Sequence, residues 1–109
     1  MENCVFCKIV KKDLPAKVVY EDEDILVFPD INPVRPVHLL IIPKKHVAEL
    51  IAVENLELFQ KLFVVVQKIA REQKLTDKGY RVVINGGGAQ LVHHLHIHLM
   101  GPVKNTAAL

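Results

Sequence analysis

The strongest constraint in this sequence is the nine-residue segment Val92–Met100, in which three histidines alternate with apolar residues. Alternate side chains of a β-strand point to the same face and lie about 6.6–6.8 Å apart. The segment therefore predicts a strand that turns its apolar residues into a core and its histidines to one surface. That surface carries His94, His96 and His98.

Three imidazoles on one face favour chemistry at that face. Like charges at this separation disfavour simultaneous protonation, so at least one ring is expected to stay neutral near physiological pH. A neutral imidazole is a nucleophile or a metal ligand. A metal site made of all three histidines, or a run of surface histidines, are the alternatives that the residues leave open.

A glycine-rich loop, Gly86–Leu91, leads directly into the histidine segment. Glycine permits the positive φ angles that turn successive backbone N–H groups toward one anion. We therefore expect the loop to bind a phosphate beside the histidines. A hairpin loop without a ligand is the alternative.

The chain as a whole fits one globular domain, residues 1–109. Half of its residues are hydrophobic and 24% are charged, which excludes a disordered chain, and no apolar run approaches the ~20 residues of a membrane span. The net charge of +2 and the lack of long Lys/Arg blocks give no sign of nucleic-acid binding. We expect neither nucleic acid nor membrane as a partner. The first ten residues lack a secretory signal's apolar core, so a cytoplasmic location is expected.

Short β-prone segments and one amphipathic helix predict an α+β fold with an antiparallel sheet. The predicted strands comprise residues 18–20, 25–28, 37–42, 80–85 and 92–100. The predicted long helix runs from about Val53 to Gln73, because apolar residues recur there at helical spacing. Its expected buried face consists of Leu56, Phe59, Leu62, Phe63, Val66, Ile69 and Ala70.

Further apolar residues widen that helical face, namely Leu58, Val64 and Val65. A face wider than one sheet can cover indicates contact with a second subunit. A helix that is buried on more than one side is the alternative.

The only two cysteines, Cys4 and Cys7, lie three positions apart. This spacing supplies half of a tetrahedral metal site, which needs two further ligands from elsewhere in the chain. A redox pair and two idle thiols are the alternatives.

The segment Gln90–Met100 resembles the signature of the histidine triad (HIT) superfamily, in which histidines alternate with apolar residues as His-φ-His-φ-His-φ-φ. The similarity extends from Cys4 to about Gly101, and it is greatest to the Hint branch of small nucleoside phosphoramidases. Residues 28–33, 38–46 and 79–85 carry it there. The resemblance implies a HIT-like α+β fold with a five-stranded antiparallel sheet, one long helix and a short N-terminal helix. It also implies a homodimer.

The resemblance further implies a nucleotide hydrolase. His96 would attack the α-phosphorus of a purine nucleoside phosphoramidate or a related conjugate, and water would then release the mononucleotide from a nucleotidyl-histidine intermediate. His98 would contact the phosphate and His38 would orient the site. A dinucleoside polyphosphate hydrolase, or a nucleotide-binding regulatory module with little turnover, are the alternatives.

Matching positions of the family also suggest how a purine nucleotide would be held. Asp30 would bind the ribose hydroxyls, while Asn85, Gln90 and Leu91 would line the phosphate site. The implied base pocket is apolar and consists of Val5, Phe6, Ile9, Phe28, Ile31 and Leu40.

Some relatives bind zinc through a Cys-x-x-Cys pair and two histidines. In this sequence the resemblance assigns those positions to Cys4, Cys7, His46 and His94. Such an ion would be structural, because four protein ligands leave no open position for a substrate.

The sequence departs from the Hint pattern at three places. The loop between Asn85 and Gln90 is about two residues shorter, and Leu91 replaces a residue that is often polar, so one side-chain phosphate contact is expected to be missing. His93 replaces a common aromatic residue and is expected on the face opposite the triad. The tail after Gly101 does not match the branch's longer C-terminal segment.

Overall fold

The computed structural model describes residues 3–105. One antiparallel sheet has the strand order β1-β2-β3-β5-β4. Its strands are β1 Tyr20–Glu21, β2 Ile25–Pro29, β3 Val37–Pro43, β4 Arg81–Ile84 and β5 Ile97–Gly101; the α-helices are α1 Val5–Val10 and α2 Leu56–Glu72, and a 3₁₀ turn spans Leu50–Ala52. The predicted α+β fold, with its five-stranded sheet, long helix and short N-terminal helix, is confirmed. Between residues 3 and 105, no helix is both long enough and apolar enough to span a membrane.

Strands β2 and β3 are buried on both faces. Along β2, Ile25 and Val27 belong to a core that includes residues of α2, whereas Leu26 and Phe28 belong to a second core that includes Phe6 of α1. Successive side chains of a strand point to opposite faces, so one strand serves both cores. The sheet is thereby covered by α2 on one side and by α1 on the other.

The long helix begins later than the apolar pattern predicts. Asn55 is its N-cap, and its side-chain oxygen accepts a hydrogen bond from the Glu57 N–H at 2.9 Å. A capping asparagine satisfies a backbone donor that the first helical turn leaves unpaired, so it fixes the helix start at Leu56. The predicted start at Val53 is therefore wrong by three residues.

The buried face of α2 is also narrower than expected. Leu62, Val66, Ile69 and Ala70 are buried as predicted, together with Val65. Leu56 and Phe63, which were expected to be buried, are 78% and 43% exposed. These two residues are seven positions apart, so they lie on a stripe beside the buried one.

The three residues expected to widen that face do not behave alike. Val65 belongs to the core, and Leu58 packs against it. Of these three residues, Val64 alone is exposed, at 57%, and can contact another molecule.

The histidine segment becomes a paired strand only at its second half. β5 begins at Ile97, which pairs with Ile41 of β3 and Ile84 of β4. Before that point Leu95 donates its N–H to the Val47 carbonyl oxygen at 2.7 Å instead of joining the ladder. The predicted strand start at Val92 is therefore wrong, whereas the other predicted strands agree within two residues. The apolar half of the predicted alternation is confirmed, because Leu95, Ile97 and Leu99 are all buried in the core. The histidines do not form one exposed surface, because His94 and His96 are buried as well.

Candidate active site

A cavity of about 530 Å³ lies beside the histidine segment. It is lined by eleven of the predicted catalytic and substrate-binding residues: Val5, Phe6, Ile9, Phe28, Asp30, Ile31, Leu40, Asn85, Leu91, His96 and His98. A larger open cleft of about 710 Å³ lies beside the start of α2 but contains none of the three alternating histidines. The smaller cavity is therefore the candidate active site.

Several lining residues were not found from the sequence. They are Pro15, Ala16, Lys17, Pro29, Asn32, Ala89 and Val92. Each is a neighbour of a predicted residue or belongs to the segment that follows α1, and no chemical signal in the sequence distinguishes them.

Two predicted residues do not line this cavity. Gln90 is buried, its Oε1 accepts a hydrogen bond from the Gly88 N–H at 3.0 Å, and its Nε2 donates to the Ala48 carbonyl oxygen at 3.5 Å. The His38 Nε2 lies 2.9 Å from the His98 Nδ1. Gln90 thus holds the loop, and His38 reaches the site through His98.

The hydrogen bonds of His96 determine which of its nitrogens carries the proton. Its Nδ1 lies 2.8 Å from the backbone oxygen of His94. A carbonyl oxygen only accepts, so we assign the proton to Nδ1, and Nε2 of the neutral ring keeps its lone pair. Among residues 3–105 that Nε2 has no hydrogen-bond partner, whereas every buried side-chain nitrogen or oxygen there has one, so the His96 Nε2 is not a buried atom. The lone pair of His96 is therefore open to the cavity.

A backbone donor sets the proton positions of the other two histidines of the site. The Val34 N–H donates to the His38 Nδ1 at 3.1 Å, which places the proton of His38 on Nε2. This Nε2–H lies 2.9 Å from the His98 Nδ1 and 3.3 Å from the Asp30 Oδ2. His98 therefore accepts at Nδ1 and carries its own proton on Nε2. The His38 Nε2 and the Asp30 Oδ2 are in close contact, while the hydrogen bond of this nitrogen is made to His98.

The site holds His98 in its neutral form. Burial lowers the pKa of His98 to about 4, and the nearby His96 and His38 act in the same direction, against the opposite effect of Asp30. A neutral His98 offers an N–H donor at Nε2 without adding a positive charge.

A second cluster brings together all four predicted metal ligands. The Cys4 Sγ lies 3.4 Å and the Cys7 Sγ 3.6 Å from the His94 Nδ1, while the Cys7 Sγ lies 3.3 Å from the His46 Nδ1. Tetrahedral zinc, with Zn–N near 2.0 Å and Zn–S near 2.3 Å, separates a nitrogen from a sulfur ligand by roughly 3.5 Å. The donor set and its spacing fit zinc.

The protonation of the cluster also fits a metal. The His94 Nε2 lies 2.8 Å from the Pro43 carbonyl oxygen, so this nitrogen carries the proton and Nδ1 turns its lone pair to the two sulfurs. Burial lowers the pKa of His94 to about 4 and is the largest cause of the raised pKa of the Cys7 thiol. An ion bound here would offset the cost of forming a buried thiolate.

The glycine loop does not present its central amides to the cavity. The Gly87 N–H donates to the Glu49 Oε1 at 3.1 Å, the Gly88 N–H to Gln90, and the Ala89 N–H to the Gly86 carbonyl oxygen at 3.1 Å. These three amides are satisfied within the chain. In the described part of the chain the N–H of Leu91 forms no hydrogen bond, and Leu91 lines the cavity. The N–H of Leu91, at the end of the loop, is therefore a candidate donor to an anion.

Glu49 lies outside the cavity but contacts the loop beside it, and no pattern in the sequence pointed to this contact. Its partner Gly87 is 38 positions away, and a single glutamate in a polar segment carries no local signal of such a contact.

The comparison with known families agrees with this geometry. A family model described as HIT domain matches residues 11–105. The chain belongs to the HIT family. Protein HitA of Neisseria gonorrhoeae is 50% identical over 105 residues, which cover 93% of this chain and 97% of that protein. The 14 kDa zinc-binding protein of Zea mays is 48% identical over 103 residues, which cover 89% of this HIT chain and 80% of the maize protein.

A solved structure shows the same fold as this HIT chain. The HIT family hydrolase from Clostridium thermocellum has a TM-score of 0.93 and 42% sequence identity, and the match covers 100% of this chain and 98% of that one. The predicted HIT membership and fold are confirmed.

The lowered pKa of the half-buried His98 predicts acid sensitivity of the fold. Because the unfolded chain binds a proton on this ring below about pH 6.5 and the folded protein does so only near pH 4, the free energy of unfolding should fall as pH drops through this interval. The variant His98→Asn should lose less stability over the same interval. Urea unfolding at several pH values measures both slopes, with the exposed His93→Asn as the matched control. Equal slopes for wild type and His98→Asn would contradict the assignment.

Proposed function

We propose that this HIT protein hydrolyses a purine nucleoside phosphoramidate, or a related nucleotide conjugate, at its α-phosphorus. The observation that carries the proposal is the hydrogen bond from the His96 Nδ1 to the His94 carbonyl oxygen at 2.8 Å. It leaves the Nε2 lone pair free, in a cavity that also contains an N–H donor on His98. The hydrolase from Clostridium thermocellum with the same fold supports hydrolytic chemistry.

The reaction would take place in two displacements. The His96 Nε2 attacks phosphorus, the bond from phosphorus to the leaving group breaks, and an amine leaving group departs with the bonding electron pair and takes a proton from solvent. Water then attacks phosphorus, the bond to His96 breaks, and the water proton passes to solvent. In the intermediate the His96 ring is cationic, and the His94 carbonyl oxygen stabilises its Nδ1–H.

The other residues of the cavity would hold the nucleotide. The neutral His98 would donate its Nε2–H to a phosphoryl oxygen, and the N–H of Leu91 would donate to another. The half-buried carboxylate of Asp30 would accept from the ribose hydroxyls. The apolar walls, among them Phe6 and Phe28, would contact the base.

Removal of the nucleophile tests this proposal. His96→Ala should lower kcat by at least ~10³-fold while nucleoside monophosphate binding persists, because the covalent route disappears and the pocket remains. Steady-state assays on adenosine phosphoramidate, with the exposed His93→Ala as control, measure the loss. Mass spectrometry of rapidly quenched wild type should detect a nucleotide on His96.

Three outcomes would contradict the proposal or part of it. Near-normal turnover of His96→Ala would remove His96 from the nucleophilic role. Tight nucleotide binding by wild type with no adduct and no turnover would identify a binding module instead, and faster turnover of dinucleoside polyphosphates would change the substrate class.

We also propose that Cys4, Cys7, His46 and His94 hold a structural zinc ion. Support comes from the donor spacing and from the Zea mays relative, which is named a zinc-binding protein. Cys4 and Cys7 form no disulfide, and thiols stay reduced in the cytoplasm, so we also propose a cytoplasmic location. When bound, the ion would fix the ring of His94. The backbone oxygen of the same residue accepts the hydrogen bond from the His96 Nδ1.

The metal proposal predicts about one zinc ion per chain by elemental analysis and a lower Tm after chelation, since metal binding adds to the free energy of folding. Cys4→Ser combined with Cys7→Ser should abolish the metal, whereas His96→Ala should retain it. Retention in the cysteine variant and loss in His96→Ala would indicate a site made of the three alternating histidines. Protein that is expressed with zinc and contains no metal would contradict both sites.

Exposed apolar residues support the homodimer as a further proposal. Phe63 and Val64 of α2 are 43% and 57% exposed, and Val82 on the sheet-edge strand β4 is 37% exposed. Light scattering should therefore give twice the chain mass of 12.3 kDa, because pairing would bury these side chains. Val64→Glu should yield monomers, with Lys11→Glu, beyond α1, as control. A wild type that stays monomeric at high concentration would contradict the proposal.

A further inference from the structure

A carboxylate supports the loop that leads to the candidate phosphate site. The Glu49 Oε1 accepts the Gly87 N–H at 3.1 Å, and it lies 3.0 Å from the place where a Cβ at Gly86 would stand. The Glu49 carboxylate is therefore close to both Gly86 and Gly87. It joins the segment after β3 to the loop before β5.

The residues just before Glu49 contact the same region. The Val47 carbonyl oxygen accepts the Leu95 N–H at 2.7 Å, and the Ala48 carbonyl oxygen accepts from the Gln90 Nε2 at 3.5 Å. Three consecutive residues thus hold three successive parts of the chain that leads to His96. Glu49 is the one whose contact uses its side chain, so substitution can remove it alone.

The loop needs such a support because of its conformation. Gly87 and Gly88 have φ angles of +64° and +96°, and nothing lies within 4 Å of a Cβ built at either position. Glycines without packing neighbours lose much backbone entropy when they are ordered. The hydrogen bonds that Gly87 and Gly88 donate to Glu49 and Gln90 are what fix them.

We infer that Glu49 is a positioning residue for phosphate binding. By holding Gly87, its carboxylate fixes the loop so that the Leu91 N–H stays at the cavity, where it donates to a phosphoryl oxygen. The inference rests on the proposed function in taking the ligand to be a nucleotide. Glu49 itself does not line the cavity, so it acts through the loop.

Two substitutions separate the hydrogen bond from the charge. Glu49→Ala removes the acceptor, so the Kd of adenosine 5′-monophosphate should rise about three- to tenfold, which corresponds to one lost hydrogen bond. Glu49→Gln keeps an acceptor oxygen and removes a negative charge near the loop, so its Kd should match or fall below that of wild type. The Kd of adenosine should stay the same in all variants, because adenosine has no phosphate.

Calorimetric titration with both ligands measures these changes, with Glu54→Ala as the matched control for loss of an exposed carboxylate nearby. Amide hydrogen exchange should also show faster exchange at Gly87 in Glu49→Ala than in Glu49→Gln. A fall in affinity shared equally by the nucleotide and adenosine would overturn the inference, as would an unchanged nucleotide affinity in Glu49→Ala. A wild type that binds the nucleotide no better than adenosine would overturn the proposed function as well.

Discussion

The structure of the site depends on His94, which donates one hydrogen bond from its ring and accepts another at its backbone oxygen. Its ring donates from Nε2 to the Pro43 carbonyl oxygen, and its backbone oxygen accepts from the His96 Nδ1, both at 2.8 Å. The first bond turns the His94 Nδ1 toward Cys4 and Cys7. The second turns the lone pair of His96 to the cavity. One residue therefore sets the chemical form of both the metal cluster and the candidate nucleophile.

The two-sided sheet makes this arrangement possible. His94, His96 and His38 are almost completely buried, and an imidazole buried without partners would cost several kcal/mol. Within residues 3–105 no buried side-chain nitrogen or oxygen lacks a partner, and each of these three rings has one backbone partner. Backbone groups have fixed donor and acceptor roles, so they set the position of each proton in a way that titratable side chains cannot.

The sequence contained much of this site because its strongest pattern is local. Alternation with period two predicted the burial of Leu95 and Ile97 and the shared side of the histidines, although pairing begins only at Ile97. Family resemblance supplied the metal ligands, which lie up to 90 positions apart. The width of the α2 face was overestimated, because a broad apolar pattern does not show which stripe faces the sheet.

The glycine loop shows what the sequence could not supply. Glycines predicted flexible amides, but the partners of those amides depend on which distant groups come close. Gln90, two positions away within the loop, accepts the Gly88 amide. Glu49 accepts the Gly87 amide, and this contact arises only when the segment after β3 folds against the loop. A side-chain role that depends on such a long-range contact produces no periodic pattern in the sequence, so it cannot be predicted from one.

The proton positions of the histidines test the central claim most directly. Long-range ¹H–¹⁵N correlation spectra of ¹⁵N-labelled protein near neutral pH distinguish the two neutral forms of each imidazole. His96 should be protonated on Nδ1, and His94 and His98 should be protonated on Nε2. A His96 ring protonated on Nε2 would leave no lone pair for the cavity and would contradict the account.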